Sequence, residues 1–440
     1  MIPRIITAAA FLLLPTLPVM ADVDIREVTS EGGIKAWLVE APEIPFIALE
    51  ISFKGGATQD PEGKEGAVSL MTALLEEGTG DMDAQAFAAA RDMLAAGYSF
   101  GSGTETVSIS ARFLSENRDQ AVDLLRRAIN EPAFPDEAIE RVRAQMLANL
   151  EAEARDPGTQ AGEAFDRLAF GDHPYARPED GTVETVAALT REDLQQAHRD
   201  ALARDRLHVA AVGDITAEEL GPMLDQLLGA LPEKGGALPG PAPVLLDGQV
   251  VVQQFPGPQS VILFGQPGIP FEDPDYLAAN MAAEILGGSR FGTRLMTEVR
   301  EKRGLTYGIG AGLAAHDQAD LVMGQVQTAN ATAGQTIDVI RQEWARIPEI
   351  TADELEATRT WMTGSWPLRW DSNAKIARQL AGMQMQGYPI DYPRTRNERI
   401  NALTLEQVQA AARRVFDPAS LSFVVVGQPE GVSPEKPEQE

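Results

Sequence analysis

The 440 residues carry 37 basic and 65 acidic side chains, a net charge of −28 that disfavours nucleic acid and anionic membrane surfaces and leaves solubility or a cationic peptide as its reading. The chain has no cysteine, which excludes disulfide staples, thiol catalysis and thiolate metal sites. Its length exceeds what one core usually holds, so two domains are expected, and a hydrophobic content of 44% is ordinary for a packed globular protein.

Met1 to Ala21 has an early Arg4, an apolar stretch from Ile5 to Leu14, and Val19-Met20-Ala21 before Asp22. This is the pattern of a cleavable export signal, so a periplasmic mature chain starting near Asp22 is expected, with anchoring by an uncleaved signal as the alternative. No later segment approaches the ~20 apolar residues of a membrane span.

Ile25 to Val28, Ala36 to Glu40 and Phe46 to Phe53 read as strands, followed by helices over about Lys64 to Glu77 and Asp83 to Ala95. Gly97 to Phe113 alternates as a hairpin, with Val107, Ile109 and Ala111 against Thr106, Ser108 and Ser110. Glu116 to Ala154 is helical, interrupted at Pro132 and Pro135, and Asp156-Pro157-Gly158 separates it from a helix reaching Phe170. The loop GDHPYARPEDGT leads to a helix over Thr190 to Leu202 and a strand over Leu207 to Val212. His173 reads as structural, His198 as a helix-surface residue, His208 as a strand residue and His316 as a polar turn residue.

A Gly/Pro-rich linker, 229–245, divides the chain into nearly equal parts. These parts repeat: Leu189-Thr190 recurs as Leu403-Thr404 and LHVAAVGD from Leu207 as LSFVVVGQ from Leu421, both 214 positions on, while Pro132 recurs as Pro348. The expectation is an α+β fold of two homologous domains, 22–228 and 246–428, each a mostly antiparallel or mixed sheet with helices on one face, then a disordered tail, 429–440. Trp361, Trp366 and Trp370 read as core or interface packing.

The most informative stretch is GGSRFGTRLMTEVREKRGLTYGIGAG, Gly287 to Gly312. Its glycine pair ends an apolar helix, a short amphipathic helix follows, and Gly304 releases the chain into an apolar run, placing Arg300 and Tyr307 near a helix-to-strand corner. A guanidinium and a phenol converging on a cleft can hold peptide carbonyls without attacking them. Spacing alone equally allows a solvated face of Arg294, Glu298, Arg300, Glu301 and Lys302, with Tyr307 an ordinary strand aromatic.

Duplicated halves with REKRGLTY opening the second resemble the insulinase and pitrilysin clan of metallopeptidases, the inverzincins, especially short bacterial members and mitochondrial processing peptidase subunits. The resemblance covers nearly all of the mature chain and assigns Arg300 and Tyr307 to substrate binding. In that clan H-x-x-E-H binds Zn²⁺ through two His on one helical face, the Glu acts as general base, and a distant Glu completes the ligands. The matching helix here is GKEGAVSLMTALLEEGT: Ser69 and Ala73 hold the His positions, Thr72 the general-base position, and the distal ligand falls near Asn149.

Those four side chains cannot replace two imidazoles and a carboxylate toward zinc. The resemblance therefore implies a zinc-free subunit, without metal or cofactor of its own, in a heterodimer with a homologue that carries H-x-x-E-H and zinc. Together they would hydrolyse peptides, this chain supplying Arg300 and Tyr307. The alternatives are a non-catalytic structural or assembly protein of the same fold, and a self-sufficient peptidase, which requires a metal site absent from the motif.

Overall fold

The computed structural model describes residues 24–434; the expected signal, Met1 to Ala21, and the end of the tail, 435–440, lie outside them. The front sheet uses β1 (Arg26–Thr29), β2 (Lys35–Glu40) and β3 (Phe46–Lys54). A two-residue ribbon of β4 (Gly78–Thr79) and β5 (Met82–Asp83) stands apart, and β6 (Gly97–Ser102), β7 (Thr106–Leu114) and β8 (Leu207–Gly213) complete the sheet in the order β1-β2-β8-β3-β7-β6. The rear sheet takes β9 (Val250–Gln254), β10 (Gln259–Pro267), β11 (Ile309–Ala315), β12 (Asp320–Ala329) and β13 (Ser422–Gly427) in the order β11-β12-β10-β13-β9. Read from the other end, this is the front order without a partner for β1, and each sheet has one parallel pair, β2 with β8 and β13 with β9. The alternation in β7 does what its pattern predicts: Val107, Ile109, Ala111 and Phe113 are buried while Thr106, Ser108 and Ser110 take the opposite face.

Front helices are α1 (Ala67–Ala73), α2 (Ala84–Met93), α3 (Arg118–Asn130), α4 (Asp136–Glu153), α5 (Pro157–Phe170), α6 (Val183–Ala188), α7 (Arg191–Ala201) and α8 (Ala217–Leu228). Rear helices are α9 (Tyr276–Gly287), α10 (Ala333–Arg346), α11 (Ala352–Ser365), α12 (Asn373–Met385), α13 (Tyr392–Ala402) and α14 (Leu405–Val415). The repeated Leu-Thr pairs have a local cause: Thr190 caps α7 and Thr404 caps α14, each accepting the N–H of the residue three further on. Helix α6, begun by the same device at Thr182, occupies the stretch between the loop that ends at Thr182 and the helix that starts after Thr190.

Each half covers one sheet face with its own helices, and the opposite face is covered by a helix from the other half. Phe165 and Ala169 of α5 pack with Leu263, Val424 and Val426 of the rear sheet. Reciprocally, Ala377, Leu380 and Ala381 of α12 pack with Trp37, Ala48 and Val212 of the front sheet, joined by Trp366. This explains why β3 is buried on both faces and why Glu50 is only 5% exposed. Burial pushes Glu50 up despite the Ser110 hydroxyl, which donates to it at 2.6 Å.

A polar latch joins the halves. Glu105 accepts the Asp317 N–H at 2.7 Å and the Tyr175 hydroxyl, and the His316 ring nitrogen lies 3.3 Å away. Lys54 pairs with Asp317 at 2.8 Å. Burial works to raise Glu105, but these contacts outweigh it and hold the carboxyl low, while the same carboxylate raises His316. His316 is thus a turn residue that also grips the other half.

Two expectations need correction. His198 is not a surface residue: its ring nitrogen sits 2.7 Å from the Ile129 carbonyl oxygen with the ring edge-on to Phe134, and burial lowers its pKa. The described start of the tail is also held: Glu430 donates to Asn330 and accepts from Gly334, and Val432 packs on the rear core.

Arg294 and Glu354 offer an acid-stability prediction. Arg294 reaches the two Glu354 carboxylate oxygens at 2.7 and 2.9 Å, and Glu354 also closes the capping box of α11 with Thr351. Burial would raise Glu354, but Arg294 and the Thr351 bonds pull it to about 2. Because the folded pKa lies below the usual 4.5, this stabilisation is complete above that value and disappears as pH falls toward 2. Glu354→Gln is expected to cost about 2 kcal/mol at neutral pH and to flatten that part of the acid limb, as measured by urea melts across pH.

Candidate functional site

The front-half motif sits on α1. Asp60, only 4% exposed, accepts the N–H groups of Gly66 and Val68 at 2.8 and 3.0 Å and so closes the helix start. Burial raises its pKa to about 7 against those bonds. The Ser69 hydroxyl donates to Asp180, and buried Thr72 donates back to the Val68 carbonyl at 2.8 Å. Ala73 is exposed and has no donor atom; Asn149, exposed on α4, accepts from Gln145 at 3.0 Å.

These groups do not fit zinc. Two hydroxyls already bonded within the fold, a methyl and a remote amide supply neither imidazole nor carboxylate. The nearby acids are also engaged, Glu76 by Arg91 at 2.9 Å and Glu77 by Arg141. Among the described residues no group of three or more His, Asp or Glu is placed to hold a metal.

The rear stretch is built differently. Helix α9 ends against β11 so closely that a Cβ on Gly287 would lie 2.6 Å from the Ala311 nitrogen, which makes glycine necessary there. The chain then crosses Phe291 and a π-helical turn, Met296–Glu301, anchored by buried Met296 and Val299. Arg300 leaves this turn half-buried, its guanidinium carbon 4.9 Å from the centre of the Phe291 ring. Gly304, at φ +63°, reverses the chain, and the Thr306 hydroxyl fastens the corner by donating to the Gln327 carbonyl at 2.7 Å.

Tyr307 is 92% exposed on that corner and precedes β11 rather than lying within it. Arg300 and Tyr307 therefore share the corner expected from the sequence, but the aromatic partner of Arg300 is Phe291. Of the expected solvated face, Glu298 does hold Lys302 at 2.6 Å, while Arg294 is a nearly buried clamp on α11. Phe291, 68% exposed within GGSRFGT, is the member that sequence reasoning missed; its signal was a bulky aromatic in a glycine-rich turn.

Strand β11 is an edge, paired on one side only with β12 among the described residues. Beside it lies a cavity of about 760 Å³ that Gly308, Gly310 and Gly312 help to line, with Asp156–Gly158 at the start of α5 on its wall. Bare backbone, an unpaired strand edge, a guanidinium and a phenol together suit an extended peptide, which needs backbone partners and room for alternate side chains.

Residues 35–183 match the insulinase family, peptidase family M16, and residues 188–361 match the peptidase M16 inactive domain. The chain is 25% identical over 388 residues to the non-peptidase homolog YmxG of Helicobacter pylori, covering 87% of this chain and 89% of that one. It is 22% identical over 426 residues to the probable mitochondrial-processing peptidase subunit beta of Schizosaccharomyces pombe, covering 92% and 91%. The crystal structure of a peptidase M16 inactive domain from Pseudomonas fluorescens superposes with a TM-score of 0.86 at 30% identity, over 94% of this chain and all of that one. With its two repeated sheets, its REKRGLTY corner and these likenesses along both halves, the chain belongs to the insulinase family of M16 peptidases and their inactive homologues.

Proposed function

We propose that this chain is the zinc-free subunit of a periplasmic peptidase pair, in which a homologous subunit carrying H-x-x-E-H and zinc performs the hydrolysis. Its own contribution is to hold the peptide. The observation that carries the reading is an asymmetry between the halves: the hydroxyls at the front motif positions are bonded internally, while Arg300 and Tyr307 form no hydrogen bond or ion pair among the described residues and stand at the corner that leads into an edge strand. The relative named a non-peptidase homolog supports a non-catalytic chain, and the relative named a processing-peptidase subunit supports a heterodimer.

An extended peptide lying along β11 would accept and donate through its backbone, with Arg300 and Tyr307 donating to its carbonyls or to the developing oxyanion. The net charge of −28 favours cationic segments in that position.

The test is zinc content and peptidase activity of the purified single chain, then activity with a co-expressed H-x-x-E-H homologue. The expected result is sub-stoichiometric zinc and no hydrolysis alone, with cleavage in the pair above that of the homologue by itself. Stoichiometric, tightly held zinc with unaided cleavage overturns the reading; a pair no faster than the homologue alone favours an assembly role.

A further inference from the structure

Away from the corner and its cavity, a second cavity of about 410 Å³ lies among α9, α11, α12 and α13. Three guanidiniums line it, those of Arg369, Arg378 and Arg396, together with one carboxylate, Glu284. Arginines of this acidic chain elsewhere commonly hold carboxylates, as Arg294 holds Glu354 and Arg414 holds Asp273. Here none of the three makes an ion pair among the described residues. Arg396, at 9% relative exposure, donates to the Met362 carbonyl at 3.1 Å and to Asn397, hydrogen-bonds Tyr392, and sets its guanidinium 4.3 Å from the centre of the Trp366 ring. Arg369 and Arg378 are exposed; Arg369 lies over the Trp366 ring, and Arg378 interacts electrostatically with Glu50, neither forming a hydrogen bond or ion pair among the described residues.

Glu284 is the complementary anomaly. Among the described residues it forms no hydrogen bond or ion pair, and its Oε2 is buried against Gly288, where a Cβ would lie 2.1 Å away. Arg290, Arg369 and Arg396 are its charged neighbours, none at ion-pair distance. The uncompensated burial falls on Glu284, whose Oε2 has no partner, while exposed Arg369 and Arg378 and buried Arg396 line the same cavity without forming an ion pair to it. The indoles of Trp361 and Trp366 add flat apolar wall.

We infer that this cavity binds a small α-amino acid, its carboxylate on Arg369, Arg378 and Arg396, its ammonium on Glu284 and its side chain against the two indoles. Such a ligand sets its carboxylate against guanidiniums that have no carboxylate at ion-pair distance among the described residues and its ammonium against the one carboxylate that has no cation at that distance. The volume is sufficient, since pockets for small ligands begin near 300 Å³. The surplus of three positive groups over one negative favours an acidic side chain, whereas the indoles favour an aromatic one; the two are separable by titration.

The experiment is intrinsic tryptophan fluorescence of the full chain, titrated with L-glutamate, L-phenylalanine, N-acetyl-L-phenylalanine and L-phenylalaninamide. Saturable change is expected with at least one of the free amino acids. Blocking either charge, by acetylation or amidation of the one that binds, should weaken it about tenfold, as should Arg369→Gln, Arg378→Gln and Glu284→Gln. Thermal midpoints of the variants verify folding; should Glu284→Gln not fold, the acetylated ligand tests the same contact on the unaltered chain. No saturable change with either amino acid up to about 10 mM, or binding indifferent to acetylation, amidation and the arginine substitutions, overturns the assignment.

Discussion

Arg300→Ala is expected to lower kcat/KM of the reconstituted pair by about 10²–10³, the usual loss when one placed donor to a developing oxyanion is removed. Arg300 rests on Phe291 and makes no ion pair among the described residues, so its removal leaves the core under the π-helical turn intact. The stability cost should stay within about 1 kcal/mol, and heterodimer assembly by size-exclusion chromatography should be unchanged. Arg300→Lys keeps the charge but loses the planar fork, and should recover only part of the rate. Tyr307→Phe removes a single hydroxyl from a fully solvated corner and should cost less than Arg300→Ala. Full turnover in Arg300→Ala, with the pair still formed, means that the rear corner takes no part in hydrolysis.

Phe165→Ala is expected to destabilise the protein by about 3–5 kcal/mol, the range for deleting a buried aromatic side chain. Phe165 is 1% exposed and lies against Gly265 so closely that a Cβ there would meet its ring at 2.8 Å. The informative part is where the loss falls. Helix α5 belongs to the front half of the chain yet covers the rear sheet, so amide exchange should accelerate first in β10 and β13. Leu380→Ala, on the reciprocal helix α12, should cost about 2–5 kcal/mol and expose β3 and β8 instead. Loss of protection in the same half as the substitution would contradict the exchange of helices.

Much of this protein was legible from residues close in the chain. The alternation of β7, the threonine caps of α7 and α14 and the constant displacement between halves are written in neighbouring side chains, because strand pleat and helix start depend on local geometry. The chemistry of the front motif was equally local: Ser69, Thr72, Ala73 and Asn149 lack zinc-binding groups whatever surrounds them. The placement of Arg300 and Tyr307 at one corner followed from Gly304.

Tertiary structure alone decided what each exposed face meets. That α5 and α12 cover each other's sheets, that His316 reaches Glu105, that Arg294 clamps Glu354 and that Glu284 shares a cavity with Arg396 all join residues far apart in sequence. Amphipathic pattern states that a face must be covered, but not by which segment, because burial is non-directional and many apolar surfaces would satisfy it. The choice among them rests on shape and on pairing polar groups across the contact, quantities that exist only once both halves are packed.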